Sequence, residues 1–434
     1  MLATSVLGAL ALSSSGVQTA TDLGPELIFG AAAGPRSMVA HKMADFAASD
    51  GAVCLDGTPG MFFFAPAAND ADTANWEIYF QGGGWCYEEQ DCWNRAKGNI
   101  GSSKGYQDGK STSDIGGLMS SDCTVNPDFC NVNRVHILYC DGNSFSGNRD
   151  APVVVNGQPI YFRGKRIIDA VVKTLVRDHG LGKAENVLLT GCSAGGLSTF
   201  LHADYVGELV KAAAPNTLKK YKAAPISGFF LLHDTVEGKP VYADEMKYIF
   251  NLANSSGPGS MNDACLASKS DDDKWRCNFA EESYAHITSP IFPLNSALDS
   301  WQTGCIYTAE PVPHNSTANG QCSSAPGWHD CAGDPEKCNS AQMATMNQYE
   351  VDFMSKMKAA GPTYAAKGNG AFIHSCHTHC EAQSGAFNTF KVNGVSIQQA
   401  VSKWWAGDGD DAAQNYEPCQ YHTDSTPHKC NPTC

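Results

Sequence analysis

Residues 191–196 are Gly191-Cys192-Ser193-Ala194-Gly195-Gly196, and they stand between two contrasting patterns. The short apolar run Val187–Thr190 before them predicts a strand, and the pattern over Leu197–Val210 after them predicts a helix. In that context a G-x-S-x-G sequence becomes a nucleophile elbow, because small neighbours allow the sharp turn that exposes the Ser193 hydroxyl. The alternative is a glycine-rich turn that binds an anion at the helix N-terminus.

Short apolar runs alternate with helical patterns along the rest of the chain. This alternation is typical of a mainly parallel sheet with crossover helices. Taken with the predicted nucleophile elbow, it leads us to expect an α/β-hydrolase-like sheet with helices on both faces and disulfide-rich insertions. The helical pattern over Gly164–His179 is closed by Gly180, a residue suited to a helix C-cap. The further predicted strands are Trp76–Phe80, Arg134–Tyr139, Pro290–Ser296 and Gly370–His374.

Charge and cysteine content restrict the class of protein. The 434 residues include 45 acidic and 30 basic side chains, and the formal net charge of −15 argues against a general nucleic-acid binder. The 18 cysteines are even in number and spread along the chain, which predicts a disulfide framework in an oxidising compartment. We therefore do not expect the cysteines to be free thiols in a reducing compartment.

The N-terminus indicates export. Leu2–Leu12 is apolar and too short to span a bilayer, so we interpret residues 1–20 as a signal peptide. No other segment is apolar over about 18 residues, and we expect no integral membrane span. The sequons at Asn254 and Asn315 fit a secreted glycoprotein.

We expect residues 21–434 to form a single hydrolase domain that is monomeric. Within it, residues from about 254 to 347 are rich in Cys, Pro, Ser and Asn and lack sustained periodicity. We interpret this stretch as a Cys-rich insertion on the sheet scaffold. Residues 418–434 carry three further cysteines and are predicted to be a disulfide-held C-terminal tail.

A second glycine-rich loop follows the strand Trp76–Phe80. Gly82-Gly83-Gly84-Trp85-Cys86 stands where serine hydrolases place an oxyanion loop, since glycines let backbone N–H groups approach a substrate carbonyl. The N–H of Ala194 points to the same place in a nucleophile elbow. A phosphate-binding turn is the alternative, but no Lys-Ser/Thr pair follows. We also predict a short disulfide, Cys86–Cys92, that stiffens this loop.

The elbow fold expects an acid and then a histidine after the serine. Asp299 closely follows the strand Pro290–Ser296, which places its carboxylate on the rim of the sheet. The later strand Gly370–His374 runs into His374-Ser375-Cys376-His377-Thr378-His379-Cys380. Position alone does not choose between His377 and His379 as the base.

The same histidine cluster also fits a zinc site, because His and Cys are the usual zinc ligands. No matching ligand pair at C-x-x-C spacing occurs elsewhere in the chain. Cys376 and Cys380 are more simply explained as disulfide partners.

Several long motifs occur together in this chain. They are Gly-Cys-Ser-Ala-Gly-Gly, Gly-Gly-Gly-Trp-Cys, Cys54–Gly57, Tyr139–Gly147, Phe162–Arg166, Asn295–Gln302 and Ser375–Cys380, with Val401–Trp405 and Cys430–Cys434 near the end. In these motifs the sequence resembles the pectin acetylesterase family, whose superfamily also contains Notum-type carboxylesterases. The resemblance runs from about Cys54 to the C-terminus.

The resemblance implies a site. It places the family's nucleophile on Ser193, its triad acid on Asp299 and its triad histidine on His379. The oxyanion donors implied are the backbone N–H groups of Gly83, Gly84 and Ala194, and neither a cofactor nor a metal is implied. The sequence departs from the family at Gln81, where the family usually has Glu, and at the variable pair His233-Asp234.

We therefore expect a serine carboxylic ester hydrolase, secreted to the extracellular space or cell wall, that removes acetyl groups from pectin or a related polysaccharide. One alternative is a Notum-like enzyme that removes a long acyl chain from a secreted protein. Another is a carbohydrate-binding protein without catalysis. A polyanionic substrate would be repelled by this acidic chain, so Arg163, Lys165 and Arg166 are either a basic substrate patch or structural ion-pair partners.

Overall fold

The structure is a computed structural model that describes residues 36–112, 115–311, 322–407 and 414–434. The predicted signal peptide, residues 1–20, and the Asn315 sequon lie outside the described residues. Asn254 is exposed in a turn with a φ of 51°. No described helix is long and apolar enough to cross a bilayer.

Fourteen strands occur in the described ranges. They are β1 Met38–Lys42, β2 Met61–Ala65, β3 Asn75–Phe80, β4 Ser111–Thr112, β5 Asn133–Ile137, β6 Val153–Val155, β7 Gln158–Ile160, β8 Asn186–Cys192, β9 Lys220–Ile226, β10 Leu294–Ser296, β11 Gly370–His374, β12 Lys391–Val392, β13 Val395–Ser396 and β14 Gln414–Tyr416. Ten of them form one sheet in the order β14-β11-β10-β9-β8-β3-β5-β2-β1-β4. From β14 to β5 neighbouring strands are parallel, and β2, β1 and β4 continue antiparallel.

The helices lie between these strands. They are α1 Ala44–Ser49, α2 Glu89–Arg95, α3 Gly164–Asp178, α4 Ala194–Ala213, α5 Val241–Leu252, α6 Asp263–Ser268, α7 Ala280–Ser283, α8 Ser300–Gln302, α9 His329–Gly333, α10 Ser340–Ala359, α11 Pro362–Ala365, α12 Ala386–Thr389 and α13 Ile397–Ala406. Short 3₁₀ turns and one π-helical turn, Thr303–Tyr307, complete the chain. Gly180 follows α3 with a φ of 85°, the left-handed conformation expected of a C-cap.

Side chains of β8 alternate between the two faces of the sheet. Val187 and Leu189 pack in one buried cluster with residues of α3 and α4, whereas Leu188 packs in a second cluster with α13. A parallel strand covered by helices on both sides is apolar at successive positions, which explains the unbroken run in the sequence. The predicted fold class, a mainly parallel sheet with helices on both faces, is confirmed.

Nine disulfides include all 18 cysteines, and every one of these lies in the described ranges. The pairs are Cys54–Cys140, Cys86–Cys92, Cys123–Cys130, Cys192–Cys380, Cys265–Cys277, Cys305–Cys322, Cys331–Cys338, Cys376–Cys434 and Cys419–Cys430. The predicted Cys86–Cys92 bond is confirmed. Cys376 and Cys380 do form disulfides, but with Cys434 and Cys192 rather than with each other.

Candidate active site

Ser193 lies on the turn between β8 and α4. Its backbone has φ 62° and ψ −128°, a conformation that a residue with a Cβ rarely adopts. The Ser193 N–H donates to the Ile226 carbonyl at 3.0 Å, which fastens the turn to the end of β9. Ser193 is only partly buried, so the strained turn presents a side chain at the C-terminal edge of the sheet.

The glycines beside Ser193 are required by close approach of the backbone. A Cβ on Gly195 would lie 2.0 Å from the Phe80 carbonyl oxygen, and one on Gly196 would lie 2.2 Å from that of Ile226. Both distances are far inside van der Waals contact. The elbow is therefore wedged between β3 and β9, and the small residues of the motif serve packing as well as the turn.

Asp299 and His379 come together at the ends of β10 and β11. The Asp299 Oδ2 lies 2.8 Å from the Nδ1 of His379, and the aspartate side chain is fully buried. Its Oδ1 accepts hydrogen bonds from the N–H groups of Trp301 and Gln302, at 3.0 and 3.1 Å. The His379 Nε2 is buried and makes no hydrogen bond to any described residue.

The other two histidines of the cluster have different partners. The His377 Nε2 lies 3.1 Å from the Thr303 hydroxyl, and burial lowers the pKa of this ring. His374 is fully buried, and its Nε2 lies 3.1 Å from the Oε1 of Glu381. Of the three, only His379 contacts Asp299.

A disulfide connects the elbow that carries Ser193 to the loop that carries His379. Cys192 precedes Ser193, Cys380 follows His379, and the two cysteines are bonded with their Cα atoms 5.7 Å apart. The bond therefore holds the elbow beside the histidine loop. The sequence analysis missed this pairing, because 188 residues separate the cysteines and no local pattern connects them.

Glu381 and Ser227 form a second connection beneath the histidine. The Ser227 hydroxyl accepts from the Cys380 N–H at 2.9 Å and donates to the Glu381 carboxylate at 3.1 Å. The Ser227 N–H donates to the Leu294 carbonyl at 2.7 Å. These contacts tie the residues after His379 to β9 and β10, and the sequence analysis named none of them.

Charge around His379 favours its protonated form. Burial lowers the pKa of the imidazole, but Asp299, by charge and hydrogen bond, and the charge of Glu381 outweigh burial and raise it. Burial also opposes ionisation of Glu381, yet the charge and hydrogen bond of His374 lower its pKa. The ring of His379 is thus flanked by two buried carboxylates.

The glycine loop after β3 packs directly on the elbow. A Cβ on Gly82 would lie 2.1 Å from the Cys192 carbonyl oxygen. Gly83 and Gly84 have φ values of 144° and 64°, in the region that favours glycine. Ala194, the first residue of α4, is fully buried. The structure therefore brings together the glycine loop, the elbow and the His379–Asp299 pair.

Two aromatic rings lie beside the histidine, and two more pack against them. Phe230 and Trp301 have ring centroids 6.2 and 6.5 Å from that of His379, and each lies about 5 Å from Trp85. Tyr242 packs against Trp301 at 5.8 Å. Trp85, Phe230 and Tyr242 are almost completely buried, while Trp301 is partly exposed. His379 is thus bordered by an aromatic cluster as well as by the two carboxylates.

The two departures from the family have local partners. The Gln81 side-chain oxygen accepts from the Tyr139 N–H at 2.9 Å, so it connects the glycine loop to the end of β5. His233 lies 3.2 Å from Asp352 and packs against Tyr307. Neither contact involves Ser193, Asp299 or His379.

The zinc interpretation finds no cluster to support it. Among the described residues no group of three or more His, Cys, Asp or Glu side chains could hold a metal ion. Cys376 and Cys380 are in disulfides and cannot serve as thiolate ligands.

The three basic residues have structural partners. Arg166 pairs with Asp150, Lys165 pairs with Asp169 at 2.7 Å, and the Arg163 guanidinium donates to three backbone carbonyls. These contacts favour the ion-pair interpretation over a substrate patch.

A parallel sheet with a strained serine at a strand–helix turn, and a histidine–aspartate pair at the ends of the following strands, defines an α/β-hydrolase-like protein. Residues 33–434 match the pectinacetylesterase family, and the chain belongs to it. It is a carboxylic ester hydrolase, as the sequence analysis expected.

Named relatives include plant and animal proteins. Pectin acetylesterase 5 of Arabidopsis thaliana is 30% identical over 406 residues, which cover 92% of this chain and 86% of that protein. Palmitoleoyl-protein carboxylesterase notum2 of Xenopus laevis is 25% identical over 88% of this chain and 71% of its own length. The solved structure of the Wnt deacylase Notum from Drosophila superimposes with a TM-score of 0.69 at 20% identity, covering 92% of this chain and all of that one. This likeness confirms the fold.

Proposed function

We propose that this protein is a secreted serine esterase that removes acetyl groups from pectin or a related acetylated polysaccharide. The observation that carries the serine mechanism is the strained Ser193 beside the His379–Asp299 pair, with Cys192–Cys380 bonding their neighbours. The pectin acetylesterases at 30% identity support the polysaccharide substrate. The nine disulfides support an extracellular location, in the cell wall or outside it.

In the proposed reaction Ser193 attacks the ester carbonyl while His379 takes its proton. Asp299 holds the Nδ1–H tautomer, so that Nε2 is the atom that accepts, and it stabilises the imidazolium that forms. The N–H groups of Gly83, Gly84 and Ala194 donate to the oxyanion. His379 then protonates the leaving sugar oxygen, which departs as a hydroxyl, and water attacks the acyl-enzyme to release acetate.

The aromatic surroundings of His379 support a small acyl group. Trp85, Phe230 and Trp301 pack against one another beside the ring, where a long chain would need open apolar space. The likeness to Notum favours the second candidate, a deacylase that accepts a long chain. The acyl-chain preference decides between the two.

We expect kcat/KM on p-nitrophenyl esters to be highest for acetate and to fall for longer chains up to decanoate. Each methylene buried from water contributes about 0.8 kcal/mol, so an apolar pocket would instead raise the efficiency roughly 10³-fold over six carbons. A steady rise toward octanoate would establish the long-chain deacylase. Binding to pectin without hydrolysis of any ester would establish the non-catalytic alternative.

The pH dependence gives a second test of the site. We expect kcat/KM to rise with pH as His379 loses its proton, with a midpoint above the usual histidine value of about 6.5, because this pKa is raised. Glu381→Gln removes one of the two negative charges that favour the protonated ring, so its midpoint moves to lower pH. Glu185→Gln, which removes an exposed carboxylate paired with Lys219, serves as the control. An unchanged midpoint in Glu381→Gln would contradict the electrostatic role of that carboxylate.

A further inference from the structure

Arg95, the last residue of α2, directs its guanidinium at backbone carbonyls. Its Nη2 donates to the carbonyl oxygen of Gly83 at 2.8 Å and to that of Gly84 at 3.4 Å. Its Nη1 donates to the Trp85 carbonyl at 3.4 Å, and its Nε to the Ile100 carbonyl at 3.1 Å. Three of the four acceptors are consecutive carbonyls of the glycine loop. Arg95 makes no ion pair with any carboxylate in the described ranges.

Fixing a carbonyl also fixes the neighbouring N–H. The peptide unit is planar and trans, so the N–H of Gly84 points opposite to the Gly83 carbonyl that Arg95 holds. The Gly84 carbonyl is held as well, by the Tyr139 hydroxyl at 2.8 Å. Two adjacent glycines with positive φ have wide conformational freedom on their own, and these contacts limit it.

The guanidinium is itself firmly placed. It lies over the Tyr139 ring at 5.0 Å, and its helix is anchored to the loop by the Cys86–Cys92 disulfide. A guanidinium presents five donors in a rigid fork, so it can engage several carbonyls at once where a lysine ammonium would act as a single point. The positive guanidinium also polarises the peptide whose carbonyl it contacts, so the N–H of that peptide becomes a stronger donor.

We propose that Arg95 is a positioning residue for the oxyanion: by holding the Gly83 and Gly84 carbonyls it aims the Gly84 N–H at the oxygen that becomes negative in the transition state. This inference rests on the proposed serine esterase function. Because the oxyanion forms only during the reaction, loss of Arg95 should lower kcat and leave KM nearly unchanged. A residue that merely stabilised the loop would instead affect the melting temperature.

The test compares Arg95→Met and Arg95→Lys with the wild type on p-nitrophenyl acetate. We expect Arg95→Met to lower kcat about 10²-fold, the lower end of the loss seen when one oxyanion donor is removed, with KM within about threefold. Arg95→Lys should lose less, and it remains informative should the methionine variant fail to fold. Binding of a boronic acid that forms a tetrahedral adduct on serine should weaken by the same factor as kcat.

Chemical rescue separates positioning from folding. Arg95→Ala should regain part of its kcat when methylguanidinium is added at non-denaturing concentration, because the side chain is only half-buried. Arg163 is the matched control, since its guanidinium likewise donates only to backbone carbonyls, three in number, and lies 5.4 Å from the Tyr161 ring. Arg163→Met should keep kcat within about twofold of the wild type, the size expected when no transition-state donor is lost.

The outcomes distinguish the two proposals. If wild-type hydrolysis does not depend on Ser193, the serine esterase function fails. If that hydrolysis depends on Ser193 but Arg95→Met and Arg95→Lys both keep kcat at the level of Arg163→Met, the positioning role alone is overturned. The positioning role is also overturned if kcat falls without chemical rescue and KM rises by the same factor.

Discussion

Ser193→Ala is expected to lower ester hydrolysis about 10⁶-fold, the size of effect found when the nucleophile of a cooperating triad is removed. The change deletes one oxygen at a partly buried position and leaves the glycine packing around the elbow intact. The melting temperature should therefore stay close to that of the wild type. Turnover of p-nitrophenyl acetate by the purified variant is the measurement.

Covalent labelling tests the assignment of Ser193 as the nucleophile without measuring a hydrolysis rate. A fluorophosphonate probe should label the wild-type peptide that contains Ser193 and leave the alanine variant unlabelled. Ser402→Ala, which removes a hydroxyl from the exposed face of α13, provides the control for loss of a serine. Turnover in Ser193→Ala above a few per cent of wild type would show that another residue is the nucleophile.

Asp299→Asn is expected to lower kcat about 10⁴-fold with little change in stability. An asparagine oxygen can still accept from the Trp301 and Gln302 N–H groups, so the cap of α8 is kept. An amide facing His379 Nδ1 favours the tautomer whose Nε2 carries the hydrogen, and such a ring cannot take a proton from serine. The rate of p-nitrophenyl acetate hydrolysis and the melting temperature are measured together.

Asp334 offers a matched comparison, because it also caps a short helix, accepting from the Glu336 N–H at 3.1 Å. Asp334→Asn should leave kcat near the wild-type value. Equal losses in the two variants would assign the effect to helix capping and remove Asp299 from the proposed triad.

The parallel half of the sheet could be predicted where strands are apolar at every position. Residues 187–189 and 371–373 are such runs, and both lie in strands. β9 was missed because the alternation in Lys-Tyr-Lys-Ala-Ala-Pro-Ile is short and a proline follows it. Its Lys222 is buried because the ammonium donates to the carbonyls of Trp404 and Gly407, an arrangement created by distant parts of the chain.

Some residues of the candidate site could likewise be predicted from local sequence, and others could not. The elbow and the glycine loop are each formed by consecutive residues. Their backbones require small residues at fixed positions, and this pattern can be recognised in a single sequence. Asp299 could be placed by its position after a strand, but choosing His379 over His377 needed the family resemblance. Ser227 and Glu381 act through contacts between segments far apart in the chain, which no spacing in the sequence reveals. Arg95 follows Gly83 by only 12 residues, but the sequence does not show that its guanidinium contacts that loop.

The Cys192–Cys380 bond has a consequence for the order of events during biosynthesis. The six cysteines before Cys192 pair among themselves, and so do the six between it and residue 376. At about 5–20 residues per second, the ribosome needs on the order of tens of seconds to make the 188 residues that separate Cys192 from Cys380. Throughout that interval Cys192 lacks its native partner, whereas the six cysteines made between it and residue 376 pair within 7 to 17 residues. A nascent chain shorter than 376 residues that has formed its other native pairs therefore carries a single odd thiol beside Ser193, and the elbow is anchored only when translation is nearly complete.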